Sequence, residues 1–182
     1  MTDCTRLEWD VGGVKLAVRW ELQQGQLQAS VETLTTHDQK TAVVDAPMPA
    51  GALHLGDLGF YKLKRFAIWN EQGVYWLTRL KVGTSVFTPD GEALDLLAHL
   101  EGAASSVTLP VRLGVKARLS VFLVADRIPD DAYAKRLTRL REQARLDQRP
   151  LSPRQAAFAH WTIYLTNIPD LTFAQAHLLA RT

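Results

Sequence analysis

The sequence predicts an α/β protein with a β-rich stretch after Val74. Three observations carry that expectation. Residues 14–34 alternate apolar and polar side chains around a turn, residues 52–73 read as strand, turn and helix, and apolar strands recur from Val74 until a last apolar run at 160–170. With 47% hydrophobic and 22% charged residues in 182, the composition is that of one ordinary globular domain or a core with an insertion. Disordered, collagenous and low-complexity classes are excluded.

Taken in order, Thr2–Trp9 sets Cys4, Arg6 and Glu8 against Asp3, Thr5 and Leu7, the pattern of a leading strand. Leu16, Val18, Trp20 and Leu22 then share a face, Gln24-Gly25 supplies a turn, and Leu27, Ala29 and Val31 share a face again, which predicts a β-hairpin with one buried side. Residues 35–49 suit a loop with a short helix, stopped at Pro47 and Pro49. In ALHLGDLGF the apolar run of a buried strand meets Gly56-Asp57-Leu58-Gly59. Leu63, Phe66, Ala67 and Asn70 follow at helical spacing up to Gly73. Asp57 is thereby placed at the carboxyl end of a strand, just before a helix.

From Val74 the segments VYWLTRLKV, TSVF, SSVTLPVRL and ARLSVFLVA read as strands, with one short helix around Glu92–Leu100. A helix is predicted over Asp130–Gln148, with Tyr133, Leu137, Leu140 and Ala144 on one stripe and Lys135, Arg136, Arg139, Arg141 and Arg145 on its other faces. HWTIYLTNIPD reads as a last buried strand, and Thr172 caps a helix through Phe173, Ala176, Leu179 and Ala180 that the end of the sequence cuts off. The chain thus reads as strand, hairpin and helix over 1–73, a β-rich stretch over 74–128, a basic helix and linker over 129–158, and a last strand with the start of a helix over 159–182. No internal repeat is visible.

Several function classes fall away. The longest apolar stretches, such as LSVFLVA at 119–125, are far below the roughly 20 residues that span a bilayer, so no membrane role is expected. The charged start MTDCTRLEWD lacks a secretory signal, which points to a cytoplasmic location. Cys4 is the single cysteine and cannot form an internal disulfide. The five histidines show no metal-ligand spacing, and Gly12-Gly13 lacks the GxxxxGK pattern of a phosphate loop. A formal net charge of +2 says little about partners until the charges are placed.

Asp3 and Asp57 stand out by position, because side chains at carboxyl strand ends of an open α/β sheet converge on the functional crevice. If their strands are neighbours, the two can share a hard cation such as Mg²⁺, with Mn²⁺ as a substitute, and paired metals about 3.5–4 Å apart suit phosphodiester chemistry. The competing reading makes Asp57 a helix-entry residue and Gly59 its turn.

The successive blocks TDCTRLEW, GGVKLAVRWELQQGQL, GDLGFYKL, VYWLTRLK, HWTIYLTNIP and AHLLART resemble those of a DDE-type transposase of the insertion-sequence-four family, over almost the whole chain. The resemblance implies a ribonuclease-H-like mixed-sheet core with a β-rich insertion between the second and third catalytic acids. It also implies metal-dependent cleavage at transposon ends, followed by transfer of the freed 3′-hydroxyl into target DNA. Asp3 matches the first catalytic Asp, Asp57 the second, and Lys15 the strand lysine, a candidate for DNA phosphate contact or fold support. The partners so implied are double-stranded DNA, as transposon ends and target, and a second copy in a DNA-bound homodimer.

The third acid of the family is a Glu in a Tyr-Arg-Glu-Lys signature whose tyrosine falls near Ala180, and the sequence stops at Thr182. Met1 likewise lies two residues before Asp3, leaving no room for the family's N-terminal DNA-end-binding region. The expectation is a catalytic-core fragment, truncated before the last catalytic helix and inactive as it stands. The alternative is a non-catalytic DNA-binding or structural remnant of a transposase. Lys62, Lys64 and Arg65, just after GDLGF, and Arg79 and Lys81 in WLTRLK are candidates for phosphate contact, against the reading of solvated surface cations. Trp161 is a candidate for stacking on an unpaired base, against the commoner role of a core tryptophan.

Overall fold

The alternating segments at the start of the chain pair as an antiparallel meander in the computed structural model, which describes residues 4–7, 14–21, 25–33, 46–103 and 105–181. Strands β1 (Cys4–Leu7), β2 (Val14–Glu21) and β3 (Gln26–Thr33) form a three-stranded sheet in sequence order. Gly25 makes the turn with φ 67°, a left-handed conformation that a Cβ disfavours. Leu16 stands opposite Val31, Val18 opposite Ala29 and Trp20 opposite Leu27, so the apolar residues share one face as the alternation predicts.

The expectation that this face is buried is not met, because Leu27 is 65% and Val31 72% exposed. A period of two assigns residues to a face, but burial needs a second layer, and among the described residues none covers these two. Leu22 and the expected loop helix up to residue 45 lie outside the described residues, and no regular element occurs over 46–49.

Strand β4 (Leu53–Gly56) runs parallel to β5 (Tyr75–Arg79), from Leu53 opposite Tyr75 to Gly56 opposite Thr78. Parallel neighbours need a crossover, and helix α1 (Leu63–Glu71) supplies it. Its buried Phe66 stacks on Trp76 at 4.3 Å between ring centroids and takes the ring of Tyr61 edge-on at 5.5 Å. The indole N–H of Trp76 donates to Asn70 Oδ1 at 2.8 Å, which satisfies a polar group that burial would otherwise leave bare. The helix ends in a Schellman motif: Gly73, at φ 68°, donates to the Asn70 carbonyl, and Val74 donates to that of Trp69. β4 is less buried than its apolar run predicts, with His54 inside and Leu53 37% exposed.

The remaining elements are β6 (Val86–Phe87), α2 (Leu96–Glu101), β7 (Ser106–Leu113), β8 (Leu119–Arg127), α3 (Asp130–Leu146), α4 (Pro153–Phe158), β9 (Trp161–Thr166) and α5 (Phe173–Leu179). The six-stranded sheet has the order β4-β5-β9-β8-β7-β6 and is mixed, with β6, β7, β8 and β9 pairing antiparallel along it. The protein is therefore a mixed α/β fold, as the sequence predicts. Every residue of β9 is buried, Thr162 and Thr166 included, as expected of a last buried strand.

On α3 the stripe of Tyr133, Leu137, Leu140 and Ala144 is half-buried, and Lys135, Arg139, Arg141 and Arg145 are exposed. Arg136 departs from its basic neighbours. Its guanidinium donates to the carbonyls of Ala159 at 3.2 Å and Trp161 at 2.8 Å and to Thr162 Oγ1 at 3.0 Å, stapling α3 to the start of β9. Helix α4 falls in a stretch expected to be linker. Its signal is the capping box of Ser152 and Gln155 with Pro153 in the first turn. Thr172 caps α5 as predicted, accepting from Gln175 N at 3.3 Å.

The chain divides into two compact units, Met1–Thr78 with His177–Thr182, and Arg79–Ala176. The first holds the meander, β4 and α1, and the second holds β6–β9 with α2, α3 and α4.

Candidate functional site

Asp57 follows the last residue of β4 in an extended conformation, φ −80° and ψ −178°, and is exposed. Its Oδ1 accepts the N–H of Gly59 at 2.8 Å and caps the single 3₁₀ turn Leu58–Phe60. The helix-entry arrangement is thus present in the structure. The other carboxylate oxygen has no hydrogen-bond partner among the described residues. A carboxylate offers about four lone-pair sites, so one capping bond leaves it able to bind a cation.

His54 lies behind this turn, on the same face of β4 as Gly56. Its ring packs on Trp69 at 4.3 Å, and its Nε2 is buried with no hydrogen-bond partner. Burial, aided by the charge of Arg19, pushes the imidazole down to about 3, so it is neutral at neutral pH. A Cβ at position 56 would stand 2.7 Å from Nε2, closer than real Cβ atoms come. Glycine at 56 is thus the residue that lets the neutral histidine and the strand end bearing Asp57 coexist. Sequence reasoning passed over His54, and the local signal was a His two residues before Gly on one strand face.

Asp3 lies outside the described residues. Cys4, which follows it, opens β1 in the three-stranded sheet, and Asp57 follows β4 at one edge of the six-stranded sheet. Lys15 stands opposite Glu32 in the β2–β3 register. The donor chemistry at Asp57, an exposed carboxylate with one oxygen unengaged, fits a hard divalent cation. Among the described residues no group of three or more His, Cys, Asp or Glu side chains could hold a metal ion.

The side chains of Lys62, half-buried, and Lys64, exposed, make no hydrogen bond or ion pair among the described residues. Arg65 is half-buried, and its charge adds to the field that keeps His54 neutral. Arg79 and Lys81 are both exposed on either side of the buried Leu80, as their alternation predicts. Trp161 is only 6% exposed, a burial that fits the core role and leaves no ring face for a base. Among the described residues no helix is long and apolar enough to cross a membrane.

No protein-family model matches the chain, and no solved structure matches it. The chain is similar to the transposase for insertion sequence element IS231F of Bacillus thuringiensis subsp. israelensis, at 25% identity over 179 residues. That alignment takes in 86% of this chain and 37% of the relative, so the chain spans little more than a third of the relative's length.

Proposed function

We propose that this chain carries part of the catalytic core of a DNA transposase of the DDE type, in the insertion-sequence-four family, with a ribonuclease-H-like arrangement of its core strands. The observation that carries the reading is Asp57: an exposed carboxylate at the carboxyl end of a parallel strand, in a chain similar along most of its length to a transposase. Asp3 and Asp57 are the two acids from this sequence that hold Mg²⁺, with Mn²⁺ able to replace it. The bound metal supplies Lewis-acid stabilisation at phosphorus and activation of the attacking oxygen.

The protein's own share is positioning. The Gly59 N–H fixes one oxygen of Asp57 and leaves the other unengaged, and the stacking of Phe66 on Trp76 holds α1 against β5. Lys62, Lys64, Arg79 and Lys81 present charge to a phosphate backbone, which orients DNA without reading its sequence. The partner is double-stranded DNA, as transposon ends and target, bound by a homodimer.

The cap between Asp57 and Gly59 also favours a second reading, a non-catalytic DNA-binding relative in which Asp57 is only structural. Calorimetric titration with Mn²⁺ separates the two. Asp57→Asn keeps an oxygen for the Gly59 N–H but loses the charge. The catalytic reading predicts Mn²⁺ affinity lowered on the order of tenfold or more, with melting unchanged. Equal Mn²⁺ binding by the wild type and Asp57→Asn excludes Asp57 as a ligand.

A further inference from the structure

We propose that the C-terminal end of α3 forms a groove that binds the phosphate backbone of double-stranded DNA, through Arg141, Arg145 and Arg149. The choice of DNA as occupant rests on the function proposed above, and the groove itself rests on the geometry of this helix end. An open, shallow depression of about 310 Å³ lies there, with Arg141, Arg145 and Arg149 lining it beside Ala144, Pro150 and Leu151.

Arg141 and Arg145 are one turn apart, so they lie one above the other about 6 Å along the helix. Like charges at that spacing oppose folding by a few tenths of a kcal/mol. Glu142 offsets Arg145 in this pair, and Arg141 keeps its charge without such a partner among the described residues. Arg149 lies beyond the helix and reaches the same groove through a Schellman motif, in which Gln148 donates to the Arg145 carbonyl and Arg149 donates to that of Ala144. Gln148 adopts φ 53° there. The same motif at the end of α1 uses Gly73, which adopts the left-handed conformation without strain. At α3 Gln148 takes the place of the glycine, with its backbone in the left-handed region, and it lines the same depression.

The hydrogen-bonding pattern leaves donors unengaged. Glu142 holds Arg145 with two bonds, at 2.7 and 3.1 Å, and Gln143 engages Asp147 at 2.8 Å. Arg141 and Arg149 are exposed, and their guanidinium groups have no hydrogen bond or ion pair among the described residues. Guanidinium forks match phosphate oxygens in pairs. Over 139–149 the sequence carries four arginines against two carboxylates, so the helix end stays positive despite the negative end of the helix dipole. The open, shallow shape suits an extended polyanion and encloses no small ligand.

The test is fluorescence anisotropy with a short labelled DNA duplex at two salt concentrations. Three proteins are compared: the wild type, the pair Arg141→Ala with Arg149→Ala, and a charge-matched pair, Lys116→Ala with Arg127→Ala, on exposed positions elsewhere. The groove predicts at least tenfold weaker binding for the first pair, with the slope of log K against log salt smaller by about two, and less than about twofold change for the second. Arg141→Gln with Arg149→Gln repeats the measurement if alanine alters folding. Wild-type binding with an unchanged affinity and slope in the first pair, or equal losses in both pairs, overturns the groove and leaves the proposed function standing. A wild type that binds no duplex at the lower salt overturns both.

Discussion

β3 and β7 are both eight-residue strands with apolar side chains at alternate positions, and their fates differ. In β7 the inward set is buried apart from the half-buried Leu109, with Val107 at 9%, Val111 at 2% and Leu113 fully enclosed, while in β3 Leu27 and Val31 are mostly open to solvent. The alternation is the same and the cover is not. β7 has a strand on either side and its inward residues are enclosed, whereas β3 closes one side of a three-stranded meander. A period of two therefore names the residues that share a face, and only tertiary packing decides whether that face contributes hydrophobic stability.

The largest expected effect breaks or keeps this contrast directly. Leu113→Ala should cost about 2–5 kcal/mol in urea unfolding, since it leaves a cavity in a closed core. Leu27→Ala should cost less than about 1 kcal/mol. A Leu27→Ala loss close to that of Leu113→Ala would mean that the meander's apolar face is covered in solution.

A smaller effect sharpens the contrast at a buried polar group. The unfolded chain holds a histidine pKa near ~6.5, and burial pushes that of His54 down to about 3 in the folded protein. Between those values the unfolded state binds more protons. The stability that neutral His54 permits is therefore fully present above the unfolded pKa and is lost as pH falls toward the folded one. Going from pH 7 to pH 5, the wild type should lose about 2 kcal/mol more than His54→Leu, by urea unfolding at each pH. Parallel pH profiles would show that water reaches the imidazole.

Much of the architecture was legible because its determinants are local. The hairpin turn at Gly25, the stop at Gly73, the strand pairs of the β-rich region, the run of β9 and the Thr172 cap each follow from a few neighbouring residues. Helix α4 was not legible as a helix because it is short, and its Ser152–Gln155 box stood in a stretch that looked like linker. The inward turn of Arg136 was equally hidden, since carbonyls more than twenty residues away in the chain select it from five similar cations.

At the candidate site, the position of Asp57 at a strand end before a helical turn could be read from GDLG. The competing cap could be read there too, and the structure contains it. His54 was not legible as a neutral buried group, because its state depends on Trp69 and on the charges of Arg19 and Arg65. The proposed pairing of Asp57 with Asp3 is the least local of these relations, since no turn or cap chemistry connects two positions so distant in sequence.

The most direct test is therefore a crystal of the chain soaked in a manganese salt and measured for anomalous scattering. The account predicts an anomalous peak within about 2.0–2.3 Å of a carboxylate oxygen of Asp57 and of one of Asp3. An ion seated elsewhere, or the two carboxyl groups on opposite sides of the protein with no ion between them, would contradict it.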